Sequence, residues 1–226
     1  MAAGINATVM LYPPGVYRAE SDTELLTDVM RRGDYARGRD VLDLGTGGGA
    51  VAVAAARAGA RSVTAVDLSL RSVAATWLNS RLAGVRVHVR RGDLFGPVSG
   101  RRFGLVVSNP PYVPAATTAL PRHRKARCWD AGPDGRALID RICTGVRDVL
   151  APHGAVLLVH SAVCDGASTV TALERAGMDA RELDRIMVPF GPVMHARAAL
   201  LEARGLVPPG QRTEELVVVE GRRGNG

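Results

Sequence analysis

Val41-Leu42-Asp43-Leu44-Gly45-Thr46-Gly47-Gly48-Gly49 runs directly into an alanine-rich stretch over 50–58. Four residues that read as a buried strand pass through a glycine-rich turn into a helical pattern, which Gly59 stops. Repeated strand–loop–helix units build parallel sheets, and such sheets bind ligands at the carboxyl ends of the strands where the strand order reverses. Glycines at that place let the backbone bend sharply and approach a ligand closely.

Outward from this unit, apolar runs and helical patterns keep alternating. Residues 63–67, 85–89, 105–108 and 155–160 read as further strands, and 182–188 and 216–220 as the last two. Helices are predicted over 50–58, 70–82, 134–150, 168–176 and 192–204. Ser69 can cap the second of these, Gly84 can end it, and Pro192 suits the first position of the last. The 134–150 segment carries Leu138, Ile139, Ile142, Val146, Val149 and Leu150 on one side. The expected fold is α/β, a seven-stranded, mostly parallel sheet with helices on both faces and an antiparallel edge strand. A lead-in over 1–34 holds one helix, 22–30, capped by Ser21 or Asp22. A single domain over 35–221 follows, with a long irregular stretch at 113–133, and 222–226 reads as a frayed tail.

Asp67 ends the second predicted strand, where an acid can accept both hydroxyls of a ribose. A dinucleotide and S-adenosylmethionine both fit such a site. The loop spacing here is Gly-x-Gly-x-Gly, with Asp43 just before it. An early acid repels a pyrophosphate and suits a ligand with a cationic amino group, which favours adenosylmethionine. Asp93, in Gly92-Asp93-Leu94 after the third strand, is placed either to bond an adenine amino group or to cap a turn. Candidate cofactor contacts are therefore Asp43, Gly45, Thr46, Gly47, Gly49, Asp67, Leu68, Asp93 and Leu94.

Ser108-Asn109-Pro110-Pro111-Tyr112 closes the fourth predicted strand. Two prolines stiffen the turn and lack N–H groups, so carbonyls there are left to accept from a ligand. Asn109 adds a side-chain carbonyl. Together they can hold a planar –NH2 by its two hydrogens and aim its lone pair at a methyl group. Tyr112 can stack on the planar group and stabilise developing positive charge. No general base is needed before transfer, because the proton can leave afterwards. Asn109, Pro110 and Tyr112 are the candidate catalytic residues, and Asn109 also borders the cofactor.

The composition sets wider bounds. Hydrophobic residues at 46% and charged residues at 23% describe an ordinary globular chain and exclude a mostly disordered one. No apolar run reaches 18 residues, so no membrane span is expected. The first ten residues carry no Lys or Arg, which argues against a secretory leader and for the cytoplasm. The net charge is +7 and the pI about 10.1. A basic surface attracts nucleic acid, but here the only lysine is Lys125, and an arginine-rich codon bias gives the same charge with no partner. Cys128, Cys143 and Cys164 form no Cys-x-x-Cys pair, and the five histidines no His-x-x-x-His pair, so neither a disulfide framework nor a metal is expected.

The Asp-x-Gly-x-Gly-x-Gly loop, Asp67, Gly92-Asp93 and Asn109-Pro110-Pro111-Tyr112 together resemble the class I S-adenosylmethionine-dependent methyltransferases, which are Rossmann-like. Within that class the chain is similar to the HemK/PrmC-type protein glutamine methyltransferases over roughly residues 12–160. Those enzymes methylate the side-chain amide nitrogen of the glutamine in the Gly-Gly-Gln loop of translation release factors. Val16-Tyr17 and Asp22-Thr23 look like the lead-in of the short archaeal and eukaryotic branch, in which that region borders the cofactor, so the resemblance adds Tyr17 and Thr23 to the cofactor contacts. It also implies a small activator subunit. Trp129-Asp130-Ala131-Gly132 resembles the family's Trp-x-Gly-Gly segment, with Ala131 in place of the first glycine. Ala19-Glu20-Ser21-Asp22 likewise departs from the family's Pro-x-Glu-Asp.

The 113–133 stretch is the expected substrate gate. Arg122, His123, Arg124, Lys125 and Arg127 make it basic, either to engage RNA or an acidic protein face, or as a solvated loop. Trp129 can line a pocket for a planar group or anchor the core. Asn109, Pro110, Pro111, Tyr112, Arg124 and Trp129 are the candidate substrate contacts. The leading expectation is N5-methylation of a release-factor glutamine, with S-adenosylhomocysteine as by-product. An exocyclic amine of RNA or DNA suits the same chemistry, but flipping a base from a duplex usually needs more recognition surface than this chain offers. A small-molecule or peptide natural product and a non-catalytic cofactor-binding role are the remaining readings.

Overall fold

Val41 and Leu42 are adjacent and fully buried, yet they belong to different apolar layers. That is what a strand covered on both faces requires, and it explains why the central strands read as unbroken apolar runs. The computed structural model describes residues 10–116 and 129–224. In chain order the elements are α1 (Ser21–Arg32), β1 (Asp40–Leu44), α2 (Ala50–Arg57), β2 (Ser62–Asp67), α3 (Leu70–Leu82), β3 (His88–Arg91) and β4 (Phe103–Ser108). They continue with α4 (Ala137–Gly145), β5 (Leu150–Ser161), α5 (Gly166–Arg175), β6 (Met178–Pro189), α6 (Pro192–Ala203) and β7 (Thr213–Arg223).

The strands form one seven-stranded sheet in the order β3-β2-β1-β4-β5-β7-β6. The first five are parallel, and β7 inserts between β5 and β6, antiparallel to both. At this edge β7 alone runs against the other strands, and β6, antiparallel to β7, has the direction of the first five. Leu25, Leu26 and Met30 of α1 and Val51, Ala52 and Ala55 of α2 fill one layer with Val41, Leu105 and Leu157. Ile139 and Ile142 of α4 and Leu173 of α5 fill the other with Leu42, Val106 and Leu158. Each fully buried leucine contributes about 1.5–3 kcal/mol. The strand order reverses between β1 and β4, so the loops leaving these two strands lie side by side.

Several predicted boundaries move for identifiable reasons. The third strand begins at His88, not at 85, because Val85 N–H donates to Ser80 O in the turn that ends α3. The helix expected over 134–150 is shorter: Gly135, at φ +77°, lies in the preceding turn, and Val146–Val149 tightens into a 3-10 turn before β5 starts at Leu150. Glu20, not Ser21 or Asp22, is the N-cap of α1. Arg222 and Arg223, expected in the tail, pair in β7 with Asp179 and Met178. The lead-in helix α1 packs on β5 and β7, so the expected boundary at 34/35 separates no second body. Ser69 caps α3 as expected, accepting from Ser72 N at 3.4 Å.

Candidate active site

The glycine loop is held from two sides. Gly45 N and Thr46 N donate to Val66 O at 2.9 and 3.1 Å, pinning the loop to the end of β2. From α3, Thr76 Oγ1 donates to Gly47 O at 3.0 Å and Asn79 Nδ2 to Gly48 O at 2.8 Å. Gly45, Gly47 and Gly49 all have positive φ, the region open to glycine. A Cβ on Gly49 would meet Thr76 Cγ2 at 2.8 Å, whereas one on Gly45 would stand in open space.

Two carboxylates flank this loop. Asp43, 1% exposed, accepts from Thr46 Oγ1 at 2.6 Å. Burial pushes its carboxyl up to about 7, with the Thr46 bond opposing and repulsion from Asp67 adding. Asp67 accepts from Gly47 N at 2.9 Å on one oxygen and from Ser69 N at 2.8 Å on the other. Burial raises its carboxyl too, and these backbone donors oppose it. The Ser72 side chain also bonds this carboxylate.

The turn after β4 is tied to its neighbours as firmly. Ser108 Oγ donates to Leu44 O at 2.7 Å, fixing the end of β4 to β1. Asn109 Nδ2 donates to Thr23 Oγ1 at 3.1 Å, which sets the amide's orientation and keeps Oδ1 as its acceptor. Tyr112 Oη donates to Asp22 Oδ2 at 2.9 Å, and Tyr17 Oη donates to the same carboxylate at 2.7 Å. Burial, with Asp22 adding, raises both phenols well above their usual range. Tyr112 O accepts from Cys164 Sγ at 3.0 Å. Helix α1 thereby delivers Asp22 and Thr23 to the site.

These parts line a cavity of about 930 Å³. Gly45, Gly47, Asp67, Leu68, Asp93 and Leu94 border one half. Asn109, Pro110, Pro111, Tyr112 and Trp129 border the other, with Val188, Glu214 and Leu216. A second pocket of about 20 Å³ gathers Tyr17, Thr23, Asp43, Thr46 and Asn109, so these five sequence-derived candidates also meet. Gly49 sits behind the loop at the start of α2, against α3. Asp93 forms an ion pair with Arg141 of α4 at 2.6 Å on the cavity wall. Trp129 lines the cavity and packs against the apolar cluster that holds Phe190 and Met194. Arg197 and Arg204 fasten this side to α6, donating to Pro114 O at 2.9 Å and Ala115 O at 2.8 Å. Arg124 lies outside the described residues, as does the whole basic run over 122–127.

The fold brings in two further residues. Asp22, in sequence a helix-cap candidate within the Asp22-Thr23 segment, receives both tyrosine hydroxyls. Glu214 arrives on β7, and the period-2 pattern Glu214-x-Leu216-x-Val218 carried the signal that it faces inward. Among the described residues, no group of three or more His, Cys, Asp or Glu is arranged to hold a metal ion, and no helix is long and apolar enough to cross a membrane.

Comparison with known proteins follows the same lines. A putative protein N5-glutamine methyltransferase from Methanocaldococcus jannaschii is 29% identical over 181 residues, covering 80% of this chain and 90% of that protein. A release factor glutamine methyltransferase from Gloeobacter violaceus is 36% identical over 174 residues, covering 72% of this chain and 59% of that one. The chain thus spans nearly all of the archaeal relative and about three fifths of the bacterial one. Among solved structures, the Encephalitozoon cuniculi Mtq2–Trm112 complex, responsible for methylation of the translation termination factor eRF1, superposes with TM-score 0.66 at 21% identity, covering 93% of this chain and 99% of that one. The 16S rRNA methyltransferase RsmC from T. thermophilus, solved with adenosylmethionine and guanosine, gives 0.60 at 21%, covering 94% of this chain and 46% of that one. The profile described as the methyltransferase small domain matches residues 9–122, just over half of the sequence. With the glycine loop, Asp67 and Asn109-Pro110-Pro111-Tyr112 all inside that match, the chain belongs to the methyltransferase small-domain family.

Proposed function

We propose that this protein is an adenosylmethionine-dependent N-methyltransferase that modifies the glutamine side-chain amide of the Gly-Gly-Gln motif in a peptide chain release factor. The observation that carries the reading is the Asn109 amide, oriented by Thr23 beside two prolines on the acceptor half of the cavity. The names of the archaeal and bacterial relatives support the same acceptor.

The residues present fit the cofactor. The open space above Gly45 is a cradle that any side chain would fill. Asp43 and Thr46 beneath it suit a cationic amino group, with Tyr17 and Thr23 closing that pocket. Asp67 suits the ribose hydroxyls, and Leu68, Asp93 and Leu94 edge the place for the base. When bound, adenosylmethionine supplies an electrophilic methyl group and leaves as S-adenosylhomocysteine.

On the acceptor side, Asn109 Oδ1 and the Pro110 carbonyl accept the two hydrogens of the amide –NH2 and draw its lone pair out of conjugation. The ring of Tyr112, held through its hydroxyl, gives a π-rich wall that favours positive charge on that nitrogen. The amide proton leaves after transfer. Pro111 and Trp129 complete the wall, and Arg124 belongs to the gate in this reading. A release factor as substrate places the reaction in the cytoplasm.

A small partner subunit fits as well. Trp77, Leu78 and Leu82 are exposed apolar residues on α3, which packs beside the edge strand β3. The relative from E. cuniculi is solved as a two-protein complex.

The test is transfer of a labelled methyl group from adenosylmethionine, with purified release factor and total RNA offered in parallel. Label on the Gly-Gly-Gln glutamine is expected. Label on RNA alone would replace this reading with methylation of a base amine.

A further inference from the structure

Glu214 sits near the start of β7, 5% exposed, on the acceptor half of the cavity. Ser161, at the end of β5, bonds its carboxyl, yet Oε2 has no hydrogen-bond partner. Among the described residues it is the one buried side-chain oxygen in that condition. A buried polar atom left without a partner is costly, and a binding site is where such a cost persists. Three carboxyl groups meet on this wall. Asp22 is satisfied by two tyrosine hydroxyls and Thr23 N. Glu20, next to Gly191, is exposed to solvent. Only Glu214 combines burial with an unused oxygen, and its neighbours Asp22, Glu20 and Tyr112 offer it no cation.

The chemistry that completes this wall is an N–H donor, and the chemistry it rejects is an anion. We propose that Glu214 is a specificity-determining residue on the acceptor side: its free oxygen takes a hydrogen bond from a backbone N–H group of the acceptor peptide, and its acidity excludes a carboxylate or phosphate at that place. The inference rests on the glutamine reading and deepens it, because repulsion by Glu214 tells a carboxamide from the carboxylate of the same length. Like-charge repulsion of the wrong group is one of the devices that give polar sites their discrimination.

The experiment compares the wild type with Glu214→Gln, which keeps the shape, and Glu214→Ala. Each is titrated with release factor carrying its Gly-Gly-Gln motif and with the form whose motif is Gly-Gly-Glu, in the presence of S-adenosylhomocysteine at pH 8. S-adenosylhomocysteine affinity is measured separately by calorimetry. The wild type is expected to bind the glutamine form at least about tenfold more tightly than the glutamate form. In Glu214→Gln that ratio should shrink severalfold, and in Glu214→Ala the glutamine form should bind more weakly, with S-adenosylhomocysteine affinity kept in both. An unchanged ratio in Glu214→Gln overturns the inference alone, as does a parallel loss of S-adenosylhomocysteine binding. Failure of the wild type to label release factor overturns the functional reading and this inference with it.

Discussion

Tyr112 Oη reaches Asp22 Oδ2 at 2.9 Å across 90 residues of chain, so the turn after β4 is braced by the first turn of α1. Tyr17 donates to the same buried carboxylate, which makes Asp22 the joint between the lead-in and the turn after β4. Tyr112→Phe deletes one donor from a 4%-exposed acid and keeps the ring. We expect it to destabilise the fold by about 1–3 kcal/mol and to weaken acceptor binding, as read by urea unfolding and by the acceptor KM. An unchanged unfolding midpoint would show that the bond adds nothing.

The Thr23–Asn109 bond separates positioning from chemistry. Asn109→Ala removes the acceptor oxygen itself, and we expect turnover to fall about 10²–10³-fold, the usual scale for losing one oriented polar group at a reacting centre. Thr23→Val keeps Asn109 but removes one anchor of its amide, so a smaller fall in kcat than in Asn109→Ala is expected. Equal losses of turnover and cofactor affinity in Asn109→Ala would instead mean that the pocket has collapsed.

Asp43 gives a pH dependence of definite sign. Its carboxyl moves from 3.8 to about 7 on folding, chiefly through burial. Between those values the folded state holds more protons than the unfolded state. Stability is therefore fullest below about 4, falls as pH rises through the window, and levels off above about 7. One such group changes stability by at most about 1.4 kcal/mol per pH unit. Glu214, raised from 4.5 to about 7, acts with the same sign. Urea unfolding at pH 5 and pH 8 should show a smaller drop in Asp43→Asn than in the wild type. A cationic amino group beside Asp43 favours the ionised form, so adenosylmethionine affinity should rise over the same window and lose that rise in the variant. Equal slopes in both proteins would remove Asp43 from the cofactor site.

What the sequence revealed follows the range of the interactions. Residues 41–49 and 108–112 carry their own turn chemistry, and both loops stand where their local pattern puts them, at the reversal between β1 and β4. Glu214 reaches the cavity only because β7 inserts antiparallel between β5 and β6, a choice of neighbours that no local window encodes. Asp93 reads in sequence as an adenine contact or a turn cap, and its ion pair with Arg141, 48 residues away, is of a range that no local pattern carries. The 134–150 stripe looked like one long helix because its apolar spacing continues through the 3-10 turn, and periodicity does not register where the backbone tightens.

Gly135 links that boundary to the turn after β4. Its φ is +77°, and a Cβ there would fall 2.2 Å from Tyr112 O and 2.6 Å from Cys164 Sγ. Gly135→Ala must therefore either leave the left-handed region or push back the backbone of Tyr112. Both routes disturb the turn after β4, while the glycine loop and Asp67 are held independently by β2 and α3. We expect a loss of stability above about 2 kcal/mol and a fall in turnover, with S-adenosylhomocysteine affinity close to that of the wild type when measured by calorimetry below the unfolding transition. Wild-type stability in the variant would show that the Tyr112 backbone gives way freely. Cofactor affinity falling in step with turnover would show that the two halves of the cavity move as one body.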